Sequence, residues 1–156
     1  MDRALLDRVL LGDADAIATF GEAEHCAVVD WRAGLSEMVA SVASFLPPGY
    51  LGVGKLTDSG AEILVAGRPP RFIALSPPPS QESLLLSISQ ALQPEFELRQ
   101  VRPVDGDGHA LLVAPSSLWS DIERLHPQAT EKLFLSAERL AAYWSKSYLR
   151  RMLSKP

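Results

Sequence analysis

A glycine-containing stretch that ends in a lysine is the first candidate for chemistry. Residues Gly49 to Lys55 match the first seven positions of the phosphate-binding loop, in which backbone amides and the lysine contact phosphates. The eighth position should be Ser or Thr to hold magnesium, but it is Leu56. The loop also requires a helix after it, whereas a turn composition and another strand-like run follow here. We therefore expect a strand that binds no nucleotide, in which Gly52 and Gly54 leave room on one face for a bulky side chain.

Two aspartates and a histidine within five residues suggest metal ligation. Asp105 and Asp107 fit the first and third positions of a calcium loop, but Ala110 replaces its glycine and Ser116 replaces its closing glutamate. Asp-Gly pairs are also the preferred chemistry of hairpin turns. We therefore expect Asp105 to His109 to form a hairpin turn without a bound metal.

A thiol beside an imidazole, at His25 and Cys26, is the raw material of a cysteine nucleophile. If the segment is a strand, neighbouring side chains point to opposite faces and these two cannot bond to each other. Cys26 could still pair with His109 or His126 through the fold, but a lone cysteine is more often a small buried apolar residue. Together with the absence of serine-elbow and zinc motifs, this predicts no catalytic residues, no metal and no cofactor.

Aromatic and basic side chains are candidates for binding instead. Residues 121 to 156 hold four acids and seven bases, which would attract phosphates or an acidic partner, or complement the negative end of a helix dipole. Glu95, Glu97 and Arg99 alternate along one strand face, which predicts a solvated ladder of mixed charge. Tryptophans are more often core than contact surface. The candidate contact residues are Trp31, Arg99, Arg102, Trp119, Arg139, Lys146 and Arg150.

The elements that would position these residues follow from hydrophobic periodicity and turn composition. The predicted helices cover residues 2 to 20 with a break at Gly12-Asp13, 34 to 46, the stretch from an N-cap at Ser80 to Pro94, the stretch from Pro115 to Leu125, and the chain after Pro127. In the last helix, Leu133, Ala137, Ala141, Trp144 and Tyr148 form a stripe that should pack on the domain. The predicted strands cover residues 25 to 31, 50 to 56, 61 to 66, 71 to 76, 96 to 102 and 109 to 114.

Strands joined by hairpin-length turns and segregated from helices predict an α+β fold. We expect one domain over residues 1 to 156, with an antiparallel sheet of five or six strands, helices packed on it and a C-terminal helix. The triple proline at Pro77 to Pro79 is a connector within that domain, because apolar segments of comparable strength flank it. The order of the strands is not readable from the sequence.

Composition excludes several classes of protein. With 156 residues, 47% apolar and 22% charged, the chain is a folded globular one and not a disordered one. One cysteine and an N-terminus without a signal-peptide pattern predict a cytoplasmic location. No apolar run reaches the ~18 residues that a membrane helix needs. No aromatic-interleaved basic motif or recognition helix indicates nucleic-acid binding.

Residues 91 to 134 resemble a group of small uncharacterised bacterial proteins. The resemblance lies in Ala91-Leu92-Gln93-Pro94, Glu95 to Arg99, the Asp-Gly turn, the strand Ala110 to Val113, and Pro115 with Trp119 and Leu133-Phe134. It implies a bacterial source and the second hairpin. These residues have turn, cap and core chemistry, so the resemblance adds no active site.

Two functions from different classes remain. The favoured one is a protein-binding module of the accessory, adaptor or immunity type, which acts without chemistry on another protein. The alternative is an enzyme or small-ligand-binding protein whose pocket gathers His25, Cys26, Asp30, Arg99, Asp105 and His109. A deep pocket with converging polar groups would favour the alternative, and a flat surface with exposed aromatic residues would favour the first. The sequence leaves open whether the chain forms a homo-oligomer.

Overall fold

The structure is a computed structural model that describes residues 3–20, 22, 24–30, 32–102 and 108–144, apart from the side chains of Ala141, Tyr143 and Trp144. The helices are α1 (Arg3–Leu10), α2 (Ala14–Phe20), α3 (Leu35–Ala43), α4 (Gln81–Leu92), α5 (Ser116–Leu125), α6 (Pro127–Leu133) and α7 (Ala137–Trp144). The strands are β1 (Ala27–Asp30), β2 (Leu51–Leu56), β3 (Gly60–Val65), β4 (Arg71–Ala74), β5 (Phe96–Val101), β6 (Gly108–Pro115) and β7 (Phe134–Ser136). No helix in the described part of the chain is long and apolar enough to cross a membrane.

Local signals in the sequence account for most element boundaries. The predicted break between the first two helices is present, because Gly12 has a φ of 83°, which glycine adopts without strain. The predicted N-cap of α4 is also confirmed. The Ser80 hydroxyl accepts a hydrogen bond from the backbone N–H of Ser83 at 3.3 Å, which satisfies one of the free donors of the first turn.

The strands form two antiparallel sheets, so the prediction of a single sheet of five or six strands is wrong while the α+β class is confirmed. Sheet A has four strands in the order β1-β6-β5-β7, and sheet B has three in the order β2-β3-β4. The β2–β3, β3–β4 and β5–β6 pairs join neighbours in the chain, as turn composition predicted. The β1–β6 pair joins segments about 80 residues apart, and no local signal specifies such a pairing.

The C-terminal region is also divided differently from the prediction. The expected continuous helix after Pro127 is interrupted by β7, a three-residue strand that pairs with the end of β5. Phe134 and Leu135 are adjacent apolar residues buried on opposite faces of sheet A, which a strand allows and a helix face does not. The predicted packing concerns the side chain of Trp144 and the whole of Tyr148, which lie outside the part of the chain that the structure describes.

Sheet A separates two apolar cores. The first lies between sheet A, the inner face of sheet B, and helices α3, α4 and α7, with Leu85 and Ile63 among its fully buried members. The second lies on the other face of sheet A, under α1, α2, α5 and α6, and includes Leu6 and Trp119. Residues 109 to 114 of β6 are buried on both faces, as expected for a central strand covered on both sides.

The outer face of sheet B is open to solvent, and its glycines explain the glycine-containing sequence. β2 runs into a turn and β3 rather than a helix, so the stretch after Gly49 is a strand, as predicted. The side chain of Leu64 lies over Gly54, and the ring of Phe72 lies across Gly60. A bulky side chain is therefore present over Gly54 as predicted, whereas the space above Gly52 is open, and the aromatic ring lies over Gly60, for which no such neighbour was predicted.

Alanine substitution should change stability differently at Gly60 and Gly52, because only Gly60 has atoms close to its Cβ position. A Cβ on Gly60 would meet the Phe72 ring and lie 2.5 Å from the Ile73 carbonyl oxygen, so we expect Gly60→Ala to lower the free energy of unfolding by about 1–3 kcal/mol. Gly52→Ala is the matched control in the same sheet, since no atom lies within 4 Å of its Cβ position, and it should leave stability unchanged or raise it by up to about 1 kcal/mol. Urea unfolding of both variants measures the difference. Equal losses would contradict the close approach at Gly60.

Candidate functional site

The candidate site is a cleft of about 320 Å³ on the second-core side of sheet A, which we call the Arg99 cleft. It lies between β5, the short edge strand β7, and helices α5, α6 and α7. Its polar lining residues are Arg99, Glu123, Thr130, Glu131, Ser136 and Arg139, and Phe134 forms part of its apolar wall.

The guanidinium of Arg99 is fixed by two carboxylates. Its Nη2 donates to Glu97 Oε2 at 2.7 Å, its Nε donates to the same oxygen at 3.2 Å, and its Nη1 donates to Glu123 Oε1 at 2.7 Å. The Arg99 side chain is only 10% exposed, whereas that of Glu123 is 53% exposed. Glu97 therefore holds the arginine from within the fold, and Glu123 pairs with it from the solvent side.

Trp119 fixes the plane of the same guanidinium. The Arg99 Cζ lies 4.3 Å from the centroid of the Trp119 ring, which is a cation–π distance. Trp119 is fully buried, its Nε1 donates to the Glu97 carbonyl at 3.3 Å, and Phe134 packs edge-on against it at 5.1 Å. The Trp119 ring therefore packs against the buried side of the Arg99 guanidinium, and Trp119 has no exposed surface with which to contact a partner.

A second arginine lies at the rim of the cleft. Arg139 Nη2 pairs with Glu131 Oε1 at 3.1 Å, and both side chains are more than half exposed. The Arg139 backbone N–H donates to Ser136 Oγ at 3.3 Å, which places the first turn of α7 beside the end of β7. The cleft therefore presents two guanidinium groups, each paired with a carboxylate that reaches it from the surface.

The chemistry that this arrangement offers is hydrogen bonding to a carboxylate. An incoming carboxylate can replace Glu123 at Arg99 Nη1 while Glu97 keeps the guanidinium in place. This is possible because the planar guanidinium group donates hydrogen bonds to carboxylates on more than one of its edges. Thr130 Oγ1 donates to the His126 carbonyl at 2.8 Å, so its proton is already used. Within the described ranges, no three His, Cys, Asp or Glu side chains come together as a metal-binding group.

Of the predicted contact residues, Arg99 and Arg139 line this cleft, and Trp119 is buried against Arg99 without lining it. Arg102 lies outside it, at the end of β5, where its backbone N–H donates to the Leu133 carbonyl at 2.7 Å. The expected solvated ladder of Glu97 and Arg99 is wrong, since α5 covers that face of β5. Three predicted contact residues lie outside the described residues: Trp31, Lys146 and Arg150.

Sequence reasoning did not identify Glu123 and Glu131 as partners of these arginines. Both glutamates lie on exposed helix surfaces, where carboxylates are common and carry no signal of their own. Only the antiparallel return of the chain through α5, α6 and β7 places them opposite Arg99 and Arg139.

The described members of the alternative pocket do not lie around one point. His25 is half-buried at the start of β1, whereas Cys26 is buried in the second core, where its thiol donates to the Phe20 carbonyl at 2.9 Å. His109 occupies the opposite end of the β1–β6 pair, beside Val29. The alternation of β6 directs His109 to the first core, so it cannot pair with Cys26.

The remaining members of that pocket have structural contacts or lie elsewhere. Asp30 ends β1, where its Oδ1 accepts the backbone N–H of Arg32 at 2.7 Å and its carbonyl accepts Gln81 Nε2 at 2.5 Å. Asp105 lies outside the described residues. The hairpin strands that flank it, β5 and β6, are present as predicted.

Comparison with known proteins adds no relative: no family model, curated protein or solved structure matches the chain. The resemblance of residues 91 to 134 to small bacterial proteins therefore stays a prediction, and the function must be inferred from the geometry alone.

Cys26 should be unreactive in the folded protein. Burial raises the pKa of its thiol to about 12 from the ordinary 9.0, so the thiolate fraction at a given pH falls about a thousandfold. Labelling with a thiol-reactive disulfide reagent at mildly alkaline pH should be slow in the native state and should modify one thiol per chain after unfolding in guanidinium. Rapid stoichiometric labelling of the native protein would contradict this burial.

His109 should make stability depend on pH. Burial lowers its pKa below 6.5, partly opposed by Glu82, and its Nδ1 has no hydrogen-bond partner among the described residues. Between the lowered pKa and 6.5 the unfolded chain binds more protons than the folded one, so the free energy of unfolding should fall as the pH drops through this window. Denaturant unfolding at a series of pH values measures the loss, which should be smaller in His109→Gln. The same slope in wild type and variant would assign it to other groups.

Proposed function

We propose that this chain is a non-enzymatic binding module that holds an acidic side chain of a partner protein in the Arg99 cleft. The partner's carboxylate takes the place of Glu123 at Arg99 Nη1 and is shared with Arg139 at the rim. Glu123 and Glu131 then turn outward into solvent, where their half-exposed positions on helix surfaces allow them to be hydrated.

The observation that carries this proposal is the fixed guanidinium of Arg99. A buried arginine stacked on a tryptophan has already lost most of its side-chain freedom, so a partner that binds it loses less entropy than one that binds a mobile surface arginine. Arginines and aromatic residues in desolvated positions are also the residue types that contribute most to binding energy at protein interfaces.

The shape of the surface supports protein binding over the pocket alternative. The Arg99 cleft is at the lower end of the volume range of small-molecule sites, and its charged groups are already paired with each other. Phe72, 59% exposed, and Leu64 project from the outer face of sheet B. Nothing in the structure indicates what would cover that face, so the contact proposal rests on the Arg99 cleft.

The test compares two exposed arginines that belong to neighbouring helices. Arg139→Gln removes the rim guanidinium, and Arg124→Gln removes an ion-paired arginine of α5 that does not line the cleft. Wild type and both variants are immobilised, and proteins captured from the source cells are quantified by mass spectrometry. We expect a specific partner whose recovery falls by roughly tenfold with Arg139→Gln and is kept with Arg124→Gln, since charge pairs at interfaces are worth about 1.5 kcal/mol or more.

The capture experiment and an NMR titration with acetate or succinate can each count against the proposal. If both variants recover every specific partner as well as the wild type does, the cleft is not the contact surface. If acetate or succinate shifts the NMR resonances of Arg99 and Glu123 while no captured protein depends on Arg139, the small-ligand alternative replaces protein binding.

A further inference from the structure

A second cleft lies at the opposite edge of sheet A, where β1 is shorter than its neighbour. β1 pairs with β6 only from Gly108 to Leu111, so the last residues of β6 extend past the start of β1. The two faces of the sheet meet at this open edge. Phe20 reaches it from α2 on one side, and Phe45 reaches it from the end of α3 on the other.

Two partly buried phenyl rings, those of Phe45 and Phe96, line this cleft, which we call the phenylalanine cleft, and the core residue Phe20, only 1% exposed, forms part of its wall. The ring of His25 lies parallel to Phe20, with an interplanar angle of 4° and centroids 6.4 Å apart. Tyr50 packs edge-on against Phe96 at 5.0 Å, which holds that ring in position. The aromatic part of the lining is therefore held in place by contacts between the rings.

Besides the imidazole of His25, the one charged group among the described residues that line the phenylalanine cleft is a carboxylate. Glu24 contributes a carboxylate at the rim, and among the described residues that line the cleft none is Lys or Arg. The faces of phenyl rings are electron-rich and attract cations, most strongly where water is excluded. The phenyl rings and the carboxylate of Glu24 together form a site with apolar walls and a negative charge, which favours cations.

We propose that the phenylalanine cleft binds a small organic cation, an alkylated ammonium compound. The cleft has a volume of about 280 Å³, which is that of roughly nine water molecules in the liquid, so the ligand must be compact. A methylated ammonium head contacts the rings of Phe45 and Phe96. We favour a methylated head because its diffuse charge costs less to desolvate than that of a primary ammonium group. Glu24 neutralises the charge at the rim. The proposal does not depend on the Arg99 cleft, which lies at the other edge of the sheet.

The probes are choline and 3,3-dimethylbutan-1-ol (dimethylbutanol), an uncharged analogue of choline in which a carbon atom replaces the quaternary nitrogen. The two have the same shape and differ in charge, so their affinities separate cation recognition from apolar burial. Titrations followed by the backbone NMR resonances of Leu112 to Ala114 should show choline binding roughly 3- to 30-fold more tightly. Equal affinity, or no choline binding, overturns the proposal.

Matched variants locate the interaction. Glu24→Gln should lower the affinity for choline severalfold without changing that for dimethylbutanol, and Glu22→Gln, an exposed carboxylate of the same turn, is its control. Phe96→Leu should weaken choline more than dimethylbutanol, with Phe72→Leu on sheet B as its control. Glu24 is exposed, so its substitution keeps the fold and the test remains decisive if Phe96→Leu is unstable. Unchanged choline affinity in Glu24→Gln, or resonance shifts confined to the Arg99 cleft, rejects the site.

Discussion

The burial of β6 on both faces is the constraint on which the rest of the structure depends. A strand with apolar side chains in both directions needs a cover on each side, and one sheet with helices on one face cannot supply it. Helices α1, α2, α5 and α6 cover one face. Sheet B, with α3, α4 and α7, covers the other. Sheet B thus supplies part of the second cover that β6 requires.

Burying Arg99 beside that strand is the main exception to an apolar second core. A charge removed from water is costly unless it is paired and hydrogen-bonded. Glu97, Glu123 and the face of Trp119 supply those contacts from a strand and a helix. An apolar residue of similar size would fill the same space without this network. The presence of an arginine there, where an apolar residue would fill the space, is what makes the cleft a candidate for binding.

The sequence predicted the elements because periodicity, proline, glycine and capping residues act locally. It placed Glu97 and Arg99 correctly on one face of β5 but described that face as solvated. A period of two residues reports which side chains share a face and not what covers it. The cover, α5, comes later in the chain. The interruption at Phe134 was missed for the same reason: its apolar spacing also fits a helix, and only pairing with β5 selects a strand.

Both clefts have one structural origin, the unequal lengths of the strands in sheet A. The central strands β5 and β6 have six and eight residues, whereas the edge strands β1 and β7 have four and three. Where each edge strand ends, the central strand next to it continues without a neighbour. Its side chains there lie beside a gap. At β7 the Arg99–Ser136 pair is the last one and the Arg99 network lies beside the gap, and at β1 the aromatic lining lies beside the unpaired last residues of β6. Longer edge strands would close both gaps, so the features that limit the pairing of sheet A also create its candidate binding sites.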